Sequence, residues 1–170
     1  MNTKKITLIA ILSALAVVLS VAEGMLVPDI AFLPPGAKPG LANIVVMFAA
    51  GFLGSIPAFF ITVLKSFFVF LTRGATAFFM SIGGGILSTC MLCILLKIKK
   101  LPMSYTGIGI ICAVVHNAGQ LICACVVTGT FSLINYAPAL LAFGAVTGFL
   151  TGTVLKYTVP AINKALKNFR

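Results

Sequence analysis

His116, Asn117 and Gln120 stand within five residues of one another in AVVHNAGQLICA, residues 113–124, whose other side chains are all apolar or small. An imidazole and two amides offer hydrogen-bond donors, acceptors and one titratable ring. On a helix, His116 and Gln120 share a face four residues apart, and Asn117 lies about 100° round from His116. Hydrocarbon cannot satisfy such groups, so they must face a bundle interior or a cavity, as interhelical hydrogen bonds or as ligand contacts. Three in five residues favour a ligand site. Lys65 lies among phenylalanines in FFITVLKSFFVF, residues 59–70. Such a lysine pairs, snorkels to an interface or faces a cavity. Arg73, in TRGAT, is an interface anchor or a planar fork for a carboxylate or phosphate. Together these types suit recognition of an anionic, hydrogen-bonding molecule.

Bond-making chemistry has little material. The whole chain holds two acidic residues, Glu23 and Asp29. General acid–base catalysis and magnesium-diphosphate binding both depend on carboxylates. There is no phosphate-binding loop of the ATPase type, no aspartate-rich motif and no serine–histidine–acid set. The chain is therefore expected not to be an enzyme, and to hold no resident cofactor or metal. Cys90 and Cys93 are spaced like half a zinc site, but all five cysteines lie in apolar stretches and read as small apolar fillers.

The elements that must position these residues are membrane helices. Of 170 residues, 61% are hydrophobic and 8% charged, far from the roughly 25% charged residues of a soluble domain. The expected fold is a single all-α domain, a bundle of six transmembrane helices at about 6–27, 41–54, 56–72, 75–97, 106–128 and 136–159. The second and third stretches are short and meet at Gly51, Gly54 and Pro57, so one long bent helix is an alternative to two spans. Lys4 and Lys5 ahead of an apolar run resemble the start of a signal peptide, but that run is long and further spans follow, so it is read as retained. With both termini cytoplasmic, nine Lys and Arg residues fall inside and only Lys38 and Arg73 outside, with Lys65 within a span. The net charge of +10 thus reflects membrane orientation, and no nucleic-acid partner is expected.

Residues 28–40 then form the first external loop. It contains most of PPGAKPGLANIV, residues 34–45, in which prolines and glycines alternate around Lys38, with Asn43 near its end. Such a loop is stiff in places and turns tightly, which suits a lid whose rim Lys38 lines; a plain connector is the alternative. Glu23, Asp29, Arg73, Asn135 and Tyr136 fall at the same mouth. The ligand set expected from this is Lys38, Asn43, Lys65, Arg73, His116, Asn117, Gln120 and Tyr136. Four-residue spacings of small residues, Ala10 with Ala14, Ala16 with Ser20, and Gly144 with Gly148 and Gly152, predict close helix contacts. GGG at 83–85 is expected to loosen the fourth segment.

PPGAKPGLANIV, HNAGQL (116–121) and YAPALLAFGAVTGFLTG (136–152) together resemble the Gx transporter family, which carries the older name heptaprenyl diphosphate synthase component I. The resemblance runs from about residue 5 to 160. That family is similar to the substrate-binding S components of energy-coupling factor (ECF) importers. The resemblance implies a multi-pass protein of the bacterial cell membrane that binds a vitamin-like molecule, with a flavin as the first expectation. It also implies partners, a transmembrane coupling subunit and two cytoplasmic ATPases. Ala10 and Ala14 match the alanine spacing with which S components pack on the coupling subunit. The rival implied by the older name is a membrane accessory subunit of a prenyl diphosphate synthase.

Overall fold

Among the described residues the expected apolar stretches are helical, and three of the breaks fall at glycines of positive φ, Gly54, Gly74 and Gly129. The computed structural model describes residues 3–26, 40–98 and 104–168. Helix α1 spans Thr3–Leu26, α2 Asn43–Phe52, α3 Ser55–Arg73, α4 Ala75–Lys97, α5 Tyr105–Thr128 and α6 Ala137–Asn168, with a short 3-10 helix at Phe131–Tyr136 leading into α6. No strand occurs among the described residues. Five stretches are long and apolar enough to cross a membrane: α1, α3, α4, α5, and the 3-10 helix joined with α6 as far as Pro160.

The second expected span is different. Helix α2 has ten residues, about 15 Å of helix against a hydrocarbon layer of about 30 Å. It is half a span. It is also a separate helix, not the first half of a bent one. Gly54, at φ +97°, reverses the chain between α2 and α3, and Gly74, at φ +83°, alone joins α3 to α4. Side chains with a Cβ rarely adopt those angles. Helix α5 starts on a Ser104 cap, whose hydroxyl accepts from the Gly107 amide at 3.2 Å, and stops at Gly129 in the left-handed conformation. Helix α6 runs past the expected end at 159, through Pro160 to Asn168.

Consecutive helices alternate in direction, so the bundle has two ends. Glu23, Arg73 and Gln120 meet at one, and Leu96, Tyr105 and Val159 at the other. The main apolar core lies in the Tyr105 half, where Leu12 and Ala16 of α1, Val45, Val46 and Ala49 of α2, Ile61, Leu92 and Leu155 are buried together. Large apolar side chains such as Ile56, Phe60, Phe67, Val126, Val146 and Phe149 stand exposed around the outside, as a lipid-facing surface requires.

Glycines set the tightest contacts. A Cβ on Gly148 would lie 2.7 Å from both the Gly109 carbonyl oxygen and Ile110 Cα, and one on Gly152 would lie 2.6 Å from Thr106 Cα. The small-residue spacing in α6 is thus its contact with α5, the most extensive interface of the bundle. The glycines at 83–85 do not loosen α4, which runs through them unbroken. They admit α5 instead: a Cβ on Gly84 would meet the His116 carbonyl oxygen at 2.6 Å, and one on Gly119 would meet Gly84 Cα at 2.9 Å.

Because the obstacles at Gly148 are backbone atoms, Gly148→Val must force α5 and α6 apart. We expect it to cost about 1–3 kcal/mol or to abolish folded protein. Gly51→Ala, where a Cβ meets nothing within 4 Å, should be neutral or stabilising by up to about 1 kcal/mol. Thermal midpoints of the two variants in detergent or nanodiscs check the contrast.

Candidate functional site

Polar and charged side chains converge in the Arg73 half of a largely apolar bundle. Lys65 is only 4% exposed. Its Nζ donates to Asn43 Oδ1 at 2.7 Å, and the Glu23 carboxylate lies within electrostatic reach. Glu23, also buried, accepts the Ala42 amide at 2.9 Å on Oε1, fixing the approach of the chain to α2. On α5, His116 and Gln120 face the same space, joined by Gln120 Nε2 and His116 Nε2 at 3.2 Å, while His116 Nδ1 lies 3.5 Å from Ser88 Oγ of α4. Two hydroxyl pairs, Thr62 with Thr89 and Ser66 with Ser81, each at 3.0 Å, bind α3 to α4 beneath and beside the site.

Around one cavity the fold assembles Glu23, Gly40, Lys65, Arg73, His116 and Gln120. Its volume is about 20 Å³, room for about one water. A flavin ring does not fit until the helices part. Arg73, at the last residue of α3, is exposed at the mouth. A Cβ on Gly40 would lie 3.8 Å from His116 Cδ2, so the segment entering α2 runs close over the imidazole.

The expected residues divide by environment. Lys65, Arg73, His116 and Gln120 line the cavity. Asn43 stands one bond behind them, as the partner of Lys65. Asn117 points elsewhere: its Nδ2 donates to the Leu140 carbonyl of α6 at 2.8 Å, and it is an interhelical tie. Tyr136, in the 3-10 helix, is partly exposed and does not line the cavity. Lys38 lies outside the described residues, as does the expected loop except for Gly40. Ala10 and Ala14 are exposed on the outward face of α1 beside Ile11, Leu15 and Val18, while Leu12, Ala16 and Ser20 turn inward.

Sequence reasoning placed Glu23 and Gly40 at the mouth but left them out of the ligand set, and it missed Ser20 and Ser81 as wall residues. A signal was present. Lys65, Val69 and Arg73 recur every four residues on α3, as do Ala77 and Ser81 on α4, and Ser20 precedes Glu23 by three. Each set lies along one helical face.

At the opposite, Tyr105 end, a second cavity of about 320 Å³ is walled by Met47, Phe48, Phe52, Leu92, Ile108 and Leu155. It is apolar, and no expected ligand residue reaches it.

A family model described as heptaprenyl diphosphate synthase component I matches residues 12–158. No curated protein and no solved structure matches the chain.

Asn117 and Gln120 should respond to different degrees to truncation in ligand-free protein. Asn117→Ala removes a made interhelical bond and should lower stability by about 0.5–2 kcal/mol. Gln120→Met relieves a buried acceptor that has no partner while giving up the 3.2 Å contact to His116 Nε2, so the two effects offset and stability should change by less than about 1 kcal/mol. Thermal unfolding of both variants in the same detergent reads the difference.

Proposed function

The chain belongs to the heptaprenyl diphosphate synthase component I family, and we propose that it is the membrane-embedded, ligand-binding subunit of an importer of the ECF type. The observation that carries this reading is the cavity lined by Lys65, Arg73, His116 and Gln120. Ionisable groups at membrane depth are costly, are offset only by partners, and mark pathways and ligand sites. This chain keeps a lysine, a carboxylate and an imidazole buried there.

Sidedness is part of the proposal. Lys4, Lys5, Lys97 and Lys156 belong to the Tyr105 end of the helices, and the positive-inside rule assigns that end to the cytoplasm. The cavity mouth at Arg73 then faces outward, where an imported solute would enter. Two cations and one carboxylate around the cavity favour a solute with a negative group. A flavin is one such vitamin-like candidate, and its ring requires the cavity to widen. The chain has no ATPase motif, so the energy would come from separate ATPases through a coupling subunit. The exposed face around Ala10 and Ala14 is the proposed contact with that subunit, and this chain performs no catalytic step.

A second reading has an observation of its own. The family's description names a prenyl diphosphate synthase component, and the apolar cavity at the Tyr105 end suits an isoprenoid chain. In that reading the chain is the membrane accessory subunit of a soluble synthase.

Affinity capture of the tagged full chain separates the two. The importer reading expects a coupling subunit and ATPases, lost on Ala10→Trp or Ala14→Trp with the isolated subunit still folded. Recovery of a prenyl synthase instead overturns it. Within the importer reading, Lys65→Met should weaken ligand binding at least about tenfold, or about 1.4 kcal/mol. Visible absorbance of the purified chain tests the flavin: a colourless protein that still binds solute removes it.

A further inference from the structure

The protons around His116 can be placed one at a time. Ser88 Oγ has one hydrogen, and the Gly85 carbonyl takes it at 3.1 Å. With that hydrogen on Gly85, Ser88 is left to accept from His116 Nδ1, 3.5 Å away, an arrangement in which Nδ1 carries the ring proton. His116 Nε2 is then an acceptor. Its neighbour at 3.2 Å must be the donating nitrogen of the Gln120 amide. This fixes the amide's orientation and leaves Gln120 Oε1 as the free end. That oxygen is buried and has no hydrogen-bond partner, and Gln120, 4% exposed, lines the cavity with Lys65 and Arg73. Ser13 Oγ is the other buried orphan among the described residues, but a hydroxyl can rotate to a carbonyl of its own helix. An amide held at its nitrogen has no such escape.

Charge adds a second requirement. Among the described residues, the cavity wall holds the cations of Lys65 and Arg73 and the carboxylate of Glu23. Lys65 uses one of its three donors on Asn43. The wall thus offers cationic donors on one side and an unmet acceptor on the other.

We infer that the ligand is a small anion that also carries an N–H or O–H donor, admitted when the helices part around the closed cavity of about 20 Å³, the anionic group meeting Lys65 and Arg73 and the donor meeting Gln120 Oε1. This rests on the ligand-binding reading above and narrows it to a chemical class. Anions lacking a donor, and donors lacking a charge, are excluded from tight binding. Sites that hydrogen-bond a polar group reject analogues lacking it, because the site's own buried group is left unpaired.

A matched pair of probes tests this on the unmodified full chain in nanodiscs. Pyrrole-2-carboxylate and furan-2-carboxylate have nearly the same shape and charge, but one presents N–H where the other presents a ring oxygen. Neutral pyrrole supplies the donor without the charge. Calorimetry should find pyrrole-2-carboxylate bound at least about tenfold more tightly than either of the others. Gln120→Met should bring the two carboxylates to within about twofold by weakening the pyrrole acid, and Lys65→Met should weaken both together. Equal binding of the two carboxylates, each tighter than pyrrole, overturns the donor requirement, leaves a water as the partner of Gln120, and keeps the anion site. Preference for the furan acid also overturns it, by reversing the amide. Carboxylates bound no better than neutral pyrrole, or not at all at millimolar concentration, overturn both this inference and the ligand-binding reading.

Discussion

Helix α5 is held on both flanks by helices that approach to backbone distance. On one side Gly84 of α4 sits against the His116 carbonyl and Gly119, and on the other Gly148 and Gly152 of α6 sit against Gly109, Ile110 and Thr106. Between apolar helices in lipid, association depends on such close packing and on hydrogen bonds that cross the interface. Asn117 supplies one of those bonds, to Leu140. With both flanks fixed, the rotation of α5 about its axis is fixed too. That rotation aims His116 and Gln120 at the cavity and Asn117 at α6.

The rest of the polar site follows from hydrogen-bond satisfaction where water is excluded. Lys65 is tolerable because Asn43 accepts from it and Glu23 lies nearby. Asn43 can reach it because α2 is short and starts at the depth of Lys65, and Glu23 helps set that start by accepting the Ala42 amide. A full-length second span would carry Asn43 toward the surface and leave Lys65 without that partner. The half-length of α2 is thus tied to the buried charge, and the one polar atom not satisfied in this network, Gln120 Oε1, falls on the cavity wall.

The two ends of the bundle therefore differ in kind. The Arg73 end is small, polar and positively charged, while the Tyr105 end encloses a larger apolar space. A charged solute and an isoprenoid chain therefore suit opposite ends, since a desolvated charge gains nothing at the apolar end and a hydrocarbon gains nothing beside Lys65.

The sequence by itself determined the class. An apolar chain with glycine and proline breaks at these positions has to be a helical membrane bundle, and five of its six stretches have spanning length, because hydrogen bonding in lipid leaves the backbone few other choices. It also marked Lys65, Arg73, His116 and Gln120, since a polar side chain at membrane depth is conspicuous by its type alone. Tertiary structure decided the remainder. Whether a polar residue on α5 faces a cavity or a neighbouring helix turns on helix rotation, which is why Asn117 and Gln120, three residues apart, part company. The glycines at 83–85 read as a weakness in α4 because local propensity was the only guide, whereas they are the surface on which α5 rests. Glu23 and Ser20 join the wall only through contacts between α1 and distant helices. Which charges share a space depends on how helices pack, and a linear pattern records that only as a face, never as a partner.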